Sequence, residues 1–311
     1  MRTVFFGTPQ LAVPSLAALA RRHEVVAVVC QPDRPQGRSG KPVAPPVKAW
    51  AVENGIPVVQ PVKLNDGEFE AWLRAQRPDI CVLAAYGRLL KQPILDVPAH
   101  GFLNMHPSLL PLYRGPSPIQ TAILNGDTET GVTIMRITLD MDSGDVLTQE
   151  RVPIQAEDNA ETLTDRLADL GGEMLAQGVD LMEQGRAVFT PQDHERATYC
   201  TLFEKRDGRI DWTQPAVAIH NLVRAANPWP GAQCLFHGDV CRIHESLPAS
   251  EAMDAAPGTV THVERDRVVV ATGDGSLAVL VFQAPGKRSL PMKEYLKGHA
   301  IKSGDRFESI P

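Results

Sequence analysis

Short apolar runs alternate with helical segments from Thr3 to Pro153, and this alternation restricts the possible folds more than any other feature. Strand patterns over 3–6 and 24–30 flank a helical segment over 11–22, and similar alternation continues to residue 124. Alternating strands and helices predict a mostly parallel sheet covered by helices on both faces. Two later strand patterns around a turn, over 130–138 and 145–153, predict an added antiparallel hairpin.

A different pattern begins near Ile210. A helical segment over 216–226 is followed by short strands at regular spacing, over 233–236, 239–244, 258–263, 267–271 and 276–283. Such spacing predicts a small β-barrel. We therefore expect an α/β domain over 1–190, a polar linker over 191–208 and a C-terminal barrel domain over 209–311.

Composition narrows the class of protein. The chain has 311 residues, 43% of them hydrophobic, and a formal net charge of -6, which argues against coating DNA through a general basic excess. Its five cysteines form no Cys-x-x-Cys pair and several lie in apolar runs, which favours buried free thiols. No apolar run reaches about 18 residues, and the N-terminal segment lacks a signal-peptide core. We expect a soluble, cytoplasmic protein.

One long segment interrupts the alternation. Residues 31–46 are rich in proline and glycine and carry the basic residues Arg34, Arg38 and Lys41. A loop of this length inside a compact domain is often functional or mobile. A solvated excursion without function is the alternative.

The common cofactor and nucleophile motifs do not occur. The first strand–helix turn, Phe6-Gly7-Thr8-Pro9, is not a Gly-x-Gly-x-x-Gly fingerprint, which argues against a nicotinamide dehydrogenase. The sequence has no Walker loop, no zinc-ligand spacing and no Gly-x-Ser-x-Gly elbow. We therefore predict no bound metal.

Three polar segments lie at the ends of predicted strands. Asn104 and His106, two residues apart, would project from one strand face; Tyr86-Gly87 follows another strand, and an acidic turn spans 139–145. Ligands of open α/β sheets bind at the carboxyl ends of strands. The amide and imidazole would stabilise an oxygen that gains negative charge, and a nearby carboxylate would orient the imidazole. Taken singly, each segment also has a purely structural interpretation.

Taken together, these segments resemble a known family, the folate-dependent formyltransferases. The matching segments are Asn104-x-His106-Pro-Ser-Leu-Leu-Pro111, Tyr113-Arg-Gly115, Pro118-Ile-Gln120, Gly131-Val-Thr-Ile-Met135 and Asp142-Ser-Gly-Asp145. The loop over 31–48 and Asn227-Pro-Trp-Pro230 are similar to segments of the members that act on methionyl-tRNA.

The resemblance implies a fold, a reaction and a set of site residues. A Rossmann-like formyltransferase domain would be joined to a C-terminal OB-like β-barrel domain. The formyl group of 10-formyltetrahydrofolate would pass to the amino group of the initiator methionyl-tRNA, for translation initiation. The catalytic residues implied are Asn104, His106 and Asp142. The folate contacts implied are Ser108, Leu109, Leu110 and Pro111, with Tyr86 and Gly87 nearby.

A tRNA substrate would need a basic surface despite the acidic total. From Lys287 to Arg306 the chain holds six basic residues against two acidic ones. With the resemblance, we predict phosphate contacts by Arg34, Arg38, Lys41, Lys287 and Arg288. We also expect a monomer that contacts no membrane.

Other functions remain open at this point. The amine of a sugar nucleotide or another small molecule, or water in a hydrolase, would be an alternative acceptor. An RNA-binding protein without catalysis is a third possibility. The segment 227–230 argues against a small amine, and the complete set Asn104, His106 and Asp142 argues against a non-catalytic protein.

Overall fold

The computed structural model describes residues 1–35, 40–64, 67–249 and 255–311. The chain folds into two compact units. Unit 1 comprises Met1–Pro118, Glu129–Pro153 and Thr164–Thr201, and unit 2 comprises Ile119–Thr128, Ile154–Leu163 and Leu202–Pro311. The domain boundaries predicted at residues 190 and 208 remain predictions.

The first 183 residues contain strands and helices in alternation. The strands are β1 (Arg2–Gly7), β2 (Glu24–Val29), β3 (Arg34–Pro35), β4 (Pro42–Val43), β5 (Val58–Val59), β6 (Ile80–Ala84), β7 (Phe102–His106), β8 (Glu129–Arg136) and β9 (Val146–Pro153). The helices are α1 (Val13–Arg22), α2 (Pro46–Glu53), α3 (Glu68–Gln76), α4 (Gln92–Leu95), α5 (Pro118–Leu124) and α6 (Ala160–Glu183).

The main sheet of unit 1 has the strand order β5-β2-β1-β6-β7-β8-β9. The pairs from β5 to β7 are parallel, whereas β8 runs antiparallel to both β7 and β9. The predicted mostly parallel sheet with a late antiparallel hairpin is therefore confirmed. Because β1 has β2 on one side and β6 on the other, the strand order reverses there, and a crevice is expected at their carboxyl ends.

Burial explains why the central strands are apolar. In β1 every residue from Thr3 to Gly7 is buried, as expected for a strand covered on both faces. The Phe6 ring packs edge-on against Tyr86, with ring centroids 5.5 Å apart, and against Phe69, at 6.2 Å. Burying each such ring stabilises the fold by about 1.5–3 kcal/mol, so the strand ends that carry Tyr86 are firmly placed.

The segment 31–46 is not wholly irregular, in contrast to the sequence-based prediction. It contains a short antiparallel pair in which Arg34 of β3 lies opposite Val43 of β4, and Pro35 lies opposite Pro42. Strands of two residues are too short to leave a periodic hydrophobic pattern, and proline favours edges over paired strands. The sequence therefore carries no local signal for this pair.

The segment Leu202–Pro311 of unit 2 forms an antiparallel sheet and two α-helices among its described residues. Its strands are β10 (Ala232–Phe236), β11 (Asp239–Ala249), β12 (Val260–Val263), β13 (Val268–Ala271), β14 (Ser276–Gln283), β15 (Leu290–Pro291) and β16 (Phe307–Glu308). The helices are α7 (Ala216–Ala225) and α8 (Met292–Tyr295). No helix in the described ranges, in either unit, is long and apolar enough to cross a membrane.

The sheet of unit 2 curls into an OB-like half-barrel, which confirms the predicted fold class. Its strand order is β12-β13-β14-β11-β10-β16, with β15 paired to β14. The long β11 pairs with both β10 and β14, and its register shifts near Glu245 are the irregularities that bend a strand. Trp212, Phe282 and Phe307 fill the concave side as part of one apolar core.

Candidate active site

β7 presents two polar side chains on one face. The whole of Phe102–His106 is buried, because β6 pairs with one edge of β7 and β8 pairs with the other. Asn104 is 7% exposed and His106 is 4% exposed. The side-chain oxygen of Asn104 has no hydrogen-bond partner. Buried polar atoms are normally paired, so this oxygen is open to a hydrogen-bond donor of a ligand.

The imidazole of His106 is oriented by a backbone carbonyl. Its Nε2 lies 2.9 Å from the carbonyl oxygen of Tyr113. A carbonyl only accepts, so Nε2 carries the hydrogen of this bond. Nδ1 lies 3.7 Å from Oδ2 of Asp142, beyond direct hydrogen-bond distance. Nδ1 is therefore the ring nitrogen available to exchange a proton with a ligand or with this carboxylate.

Asp142 comes from the turn between β8 and β9. Its backbone φ is +49°, in the left-handed region, and its Oδ2 accepts a hydrogen bond of 2.9 Å from the backbone N–H of Gly115. Ser143 Oγ donates to the carbonyl of Asp140 within the same turn, at 3.0 Å. The turn thus carries a carboxylate to the end of β7, beside His106. The catalytic roles of Asn104, His106 and Asp142 remain predictions.

A cavity of about 100 Å³ opens beside Asn104 and Asp142. Most of its other lining residues are apolar, and all of them lie in or after β6 or β8: Leu83, Arg88, Leu89, Leu90, Met135, Ile137, Thr138, Leu139, Asp140 and Met141. Leu89, Leu139 and Met141 are largely exposed. The acidic turn singled out in the sequence includes Leu139 and Met141, whereas Leu89, which follows the Tyr86-Gly87 segment, was not predicted. An apolar wall beside an unpaired amide suits a flat ring that carries a polar group.

A larger cavity, of about 440 Å³, lies at the carboxyl ends of β1, β2 and β6. Tyr86 and Gly87, predicted as folate contacts, line this cavity rather than the one beside Asn104. The carbonyl of Tyr86 accepts hydrogen bonds from Gln31 Nε2 at 2.9 Å and from Thr8 Oγ1 at 3.2 Å. The larger cavity therefore occupies the crevice expected where the strand order reverses.

The other predicted folate contacts, 108–111, form a packed turn directly after β7. Ser108 is fully buried and donates from Oγ to the carbonyl of Leu112 at 2.6 Å. The backbone N–H of Leu110 donates to Thr133 Oγ1 at 3.1 Å. Ser108, Leu109, Leu110 and Pro111 line neither of these two cavities. Their contact with folate stays a prediction.

The predicted tRNA contacts belong to both units. In unit 1, Arg34 and Lys41 are exposed, and Arg34 donates to Gln31 Oε1 at 2.5 Å. Arg38 lies outside the described residues. In unit 2, Lys287 and Arg288 are exposed between β14 and β15. Exposed cations are available to phosphates, but the pattern alone does not distinguish them from an ordinary solvated surface.

The cysteines are free and buried, as predicted. Burial raises the pKa of Cys30 to about 11, although the nearby Lys48 ammonium opposes the shift. Burial likewise raises the pKa of Cys241 to about 11, with the Asp239 carboxylate adding to it. Both thiols stay protonated at neutral pH, and the thiolate is the nucleophilic form. These two cysteines are therefore structural.

One histidine–carboxylate group in the described part of the chain has ligand atoms close enough for a metal ion. His23, Asp180 and Glu183 place one such atom each within 4.8 Å of the others. Arg22 already donates to Asp180 at 2.6 Å, and His23 Nε2 lies 3.0 Å from the same carboxylate. The group joins the end of α1 to α6 and has the character of an ion-pair cluster. The absence of a metal cofactor remains a prediction.

Comparison with known proteins supports a formyl-transfer site. Residues 1–179 match a family model described as formyl transferase, and residues 203–300 match one described as formyl transferase, C-terminal domain. A methionyl-tRNA formyltransferase of Roseiflexus sp. (strain RS-1) is 46% identical over 310 residues, covering 99% of this chain and 95% of its own length. One of Moorella thermoacetica is 44% identical over 306 residues, covering 98% of each chain.

Two solved structures share the fold at low sequence identity. An N-formyltransferase from Helicobacter canadensis, in complex with folinic acid and dTDP-3-aminofucose, has a TM-score of 0.67 at 20% identity, over 91% of this chain and 98% of its own. HypX from Aquifex aeolicus, in complex with tetrahydrofolic acid, has a TM-score of 0.65 at 21% identity, over 95% of this chain and 47% of its own. The family model over 1–179 and the relatives above 40% identity agree, and the chain belongs to the formyl transferase family.

Proposed function

We propose that this protein transfers the formyl group of 10-formyltetrahydrofolate to the amino group of initiator methionyl-tRNA. The buried side chain of Asn104, whose oxygen has no partner, lies on the same strand face as His106 and beside Asp142, and this placement is the observation that carries the chemistry. The relatives named methionyl-tRNA formyltransferase support the choice of acceptor, because they match this chain over nearly its whole length.

The proposed reaction follows from the groups at the end of β7. The neutral amine attacks the formyl carbon, and the carbonyl oxygen becomes an oxyanion. Asn104 donates to this oxygen from its amide nitrogen, and His106 donates from Nδ1 when the ring is protonated. The proton lost by the amine passes through Asp142, directly or by water, to the folate nitrogen. The bond from that nitrogen to the formyl carbon then breaks, giving N-formylmethionyl-tRNA and tetrahydrofolate.

The donor binds, in this proposal, with its formyl carbon at the cavity shared by Asn104 and Asp142. That cavity, at about 100 Å³, is much smaller than the roughly 300–1,000 Å³ typical of a whole-ligand site. It accommodates only part of a folate. The remainder extends beyond this cavity, and Ser108 to Pro111 and Tyr86-Gly87 are its proposed contacts.

The tRNA contacts are proposed on grounds of charge. Arg34, Arg38 and Lys41 belong to the long loop of unit 1, and Lys287 and Arg288 are exposed in unit 2. Contacts of this kind position a nucleic acid through its phosphates and lose strength as salt displaces them. We further propose that the protein acts in the cytoplasm, as a monomer, without a metal ion.

The deciding experiment compares acceptors with one donor. Purified protein is incubated with 10-formyltetrahydrofolate and charged initiator tRNA, charged elongator methionyl-tRNA, a deoxythymidine-diphosphate amino sugar, or no acceptor. Formylation that is fast only with the initiator tRNA is the expected result, unchanged by a chelator. Preference for the amino sugar would establish a small-amine formyltransferase, and equal donor loss without any acceptor would establish a hydrolase. Either result overturns the proposal.

A further inference from the structure

Gln192 is a buried side chain in a segment that the sequence presents as a polar linker. It is 7% exposed. Its Nε2 donates to the carbonyl of Asp142 at 2.9 Å and to the carbonyl of Gly144 at 2.7 Å. Its Oε1 accepts from Nη2 of Arg114 at 2.7 Å and from Nε at 3.2 Å. Both amide hydrogens and the amide oxygen are therefore used, and two of the bonds hold the turn that carries Asp142.

Arg114 fixes the direction in which this amide points. Arg114 is 3% exposed, and its Nη2 also contacts Nδ1 of His194 at 3.0 Å. A guanidinium only donates hydrogen bonds, so the oxygen of Gln192 must face Arg114. The nitrogen then faces the two carbonyls of the turn. In the reverse orientation, the amide nitrogen would face the donors of Arg114, and the amide oxygen would face the two carbonyl oxygens of the turn.

The turn that Gln192 holds is closely constrained by its surroundings. Asp142 has a φ of +49°, in the left-handed region that few residues other than glycine, asparagine and aspartate adopt. A Cβ on Gly144 would lie 2.0 Å from the carbonyl oxygen of Arg136, so the turn also passes very close to the end of β8. Such a conformation persists when its surroundings hold it.

Two consecutive residues, Arg114 and Gly115, help to fix the backbone and the carboxylate of Asp142. The backbone N–H of Gly115 binds its carboxylate oxygen at 2.9 Å. The preceding residue, Arg114, holds Gln192, which in turn binds the backbone carbonyl of Asp142. A single short segment thus sets both the backbone and the carboxylate of Asp142 relative to His106.

We propose that Gln192 is a positioning residue for formyl transfer, which keeps the Asp142 carboxylate at its working distance from His106. It acts through the carbonyls of Asp142 and Gly144 and does not itself contact the reacting atoms. The kinetic test of this inference rests on the proposed function, because it measures kcat for formyl transfer. Misplacement of a catalytic group by about 1 Å is enough to cost on the order of a hundredfold in rate, so the held turn matters more for turnover than for substrate binding.

The test replaces the amide by a carboxylate of the same length. Gln192→Glu keeps the contact with Arg114 but turns an oxygen toward two carbonyls. We expect kcat to fall roughly 10- to 100-fold, with the KM values for folate and tRNA within about twofold of wild type.

Gln233→Glu is the matched control. Gln233 is 6% exposed, and its Nε2 donates to the carbonyl of Pro230 at 3.2 Å, in unit 2. This variant introduces the same buried carboxyl group and loses a similar hydrogen bond, but it does not alter the Asp142 turn. Its kcat should match that of wild type.

Amide hydrogen exchange of the segment 140–146 gives a second measurement that needs no substrate. Exchange there should be at least several-fold faster in Gln192→Glu than in wild type, and unchanged in Gln233→Glu. Unchanged kcat or unchanged exchange in Gln192→Glu overturns the proposal, as does an equal loss in both variants. If Gln192→Glu does not fold, Gln192→Asn replaces it, and kcat and exchange equal to wild type in Gln192→Asn overturn the proposal. If wild type formylates no acceptor while the exchange responds as expected, the proposed function fails and the positioning role of Gln192 stands.

Discussion

His106 Nδ1 lies 3.7 Å from Oδ2 of Asp142, and the same oxygen accepts a hydrogen bond of 2.9 Å from the backbone of Gly115. The carboxylate of Asp142 is therefore held by the backbone N–H of Gly115 and not by the imidazole of His106. His106 in turn is held through Nε2, by the carbonyl of Tyr113. Each partner is oriented separately, which leaves the gap between them open to a proton or a ligand atom.

His106 and Asp142 should behave as one unit in kinetics. We expect His106→Ala and Asp142→Asn each to lower kcat by about two to three orders of magnitude, with the KM for tRNA nearly unchanged. The double variant should lose little more than the worse single variant, because residues that act together are not additive. Asp145→Asn, an exposed change in the same turn, is the control. Near-normal turnover in either single variant would contradict the assignment.

Asn104 should matter for rate and not for stability. Its side-chain oxygen is unpaired in the free protein, so Asn104→Ala breaks no bond at that atom and should leave the melting temperature within a few degrees. Loss of an oxyanion donor should lower kcat by about 100- to 1,000-fold. Steady-state kinetics and calorimetry on the same preparation measure the change in kcat and the change in melting temperature. A large loss of stability would mean that the amide is a structural group.

Gly144 should not tolerate a side chain. A Cβ there would meet the carbonyl oxygen of Arg136 at 2.0 Å, so Gly144→Ala must displace the turn that carries Asp142. We expect at least a tenfold loss of kcat. At Gly298 a Cβ would meet nothing within 4 Å, so Gly298→Ala is the control and should behave as wild type. Equal kcat values for the two variants would refute the link between this turn and catalysis.

Arg38 should contribute to tRNA binding and not to folate use. Arg38→Ala should raise the apparent KM for initiator methionyl-tRNA several-fold, and the salt dependence of that KM should become shallower, because one phosphate contact is lost. The KM for the folate donor should not change. Lys63→Ala removes another exposed cation and is the control. An unaltered KM for tRNA would exclude a role for Arg38 at the tRNA.

His220 should make the protein less stable in mild acid. Burial, helped by the Arg224 cation, lowers its pKa to about 4 from an ordinary value of 6.5. The unfolded chain therefore binds the proton first as the pH falls below about 6.5, and stability is lost progressively until about pH 4. The full loss is on the order of 2–3 kcal/mol after allowance for partial exposure. Urea unfolding at pH 7 and pH 5 should show a smaller pH effect in His220→Gln; an identical pH effect would count against this.

Much of this fold is predictable because its signals are local. The alternation of β1, α1 and β2 requires a parallel sheet, and the evenly spaced strands after Ile210 require a curled antiparallel one. The pairing of β3 with β4 is not predicted from the sequence, because strands of two residues leave no periodic hydrophobic pattern. The lining of the cavity beside Asn104 is only partly predicted, because most of it consists of ordinary apolar residues from separate strands and turns.

By itself, the sequence determined that Asn104 and His106 share a face, because side chains alternate along any strand. It also determined the family, through motifs that extend along most of the chain. Only the tertiary structure decided that Asp142 lies beside His106, that the amide of Asn104 is unpaired, and that Gln192 binds the turn. These are contacts between residues far apart in the chain, and they depend on how whole turns pack, which no local pattern records.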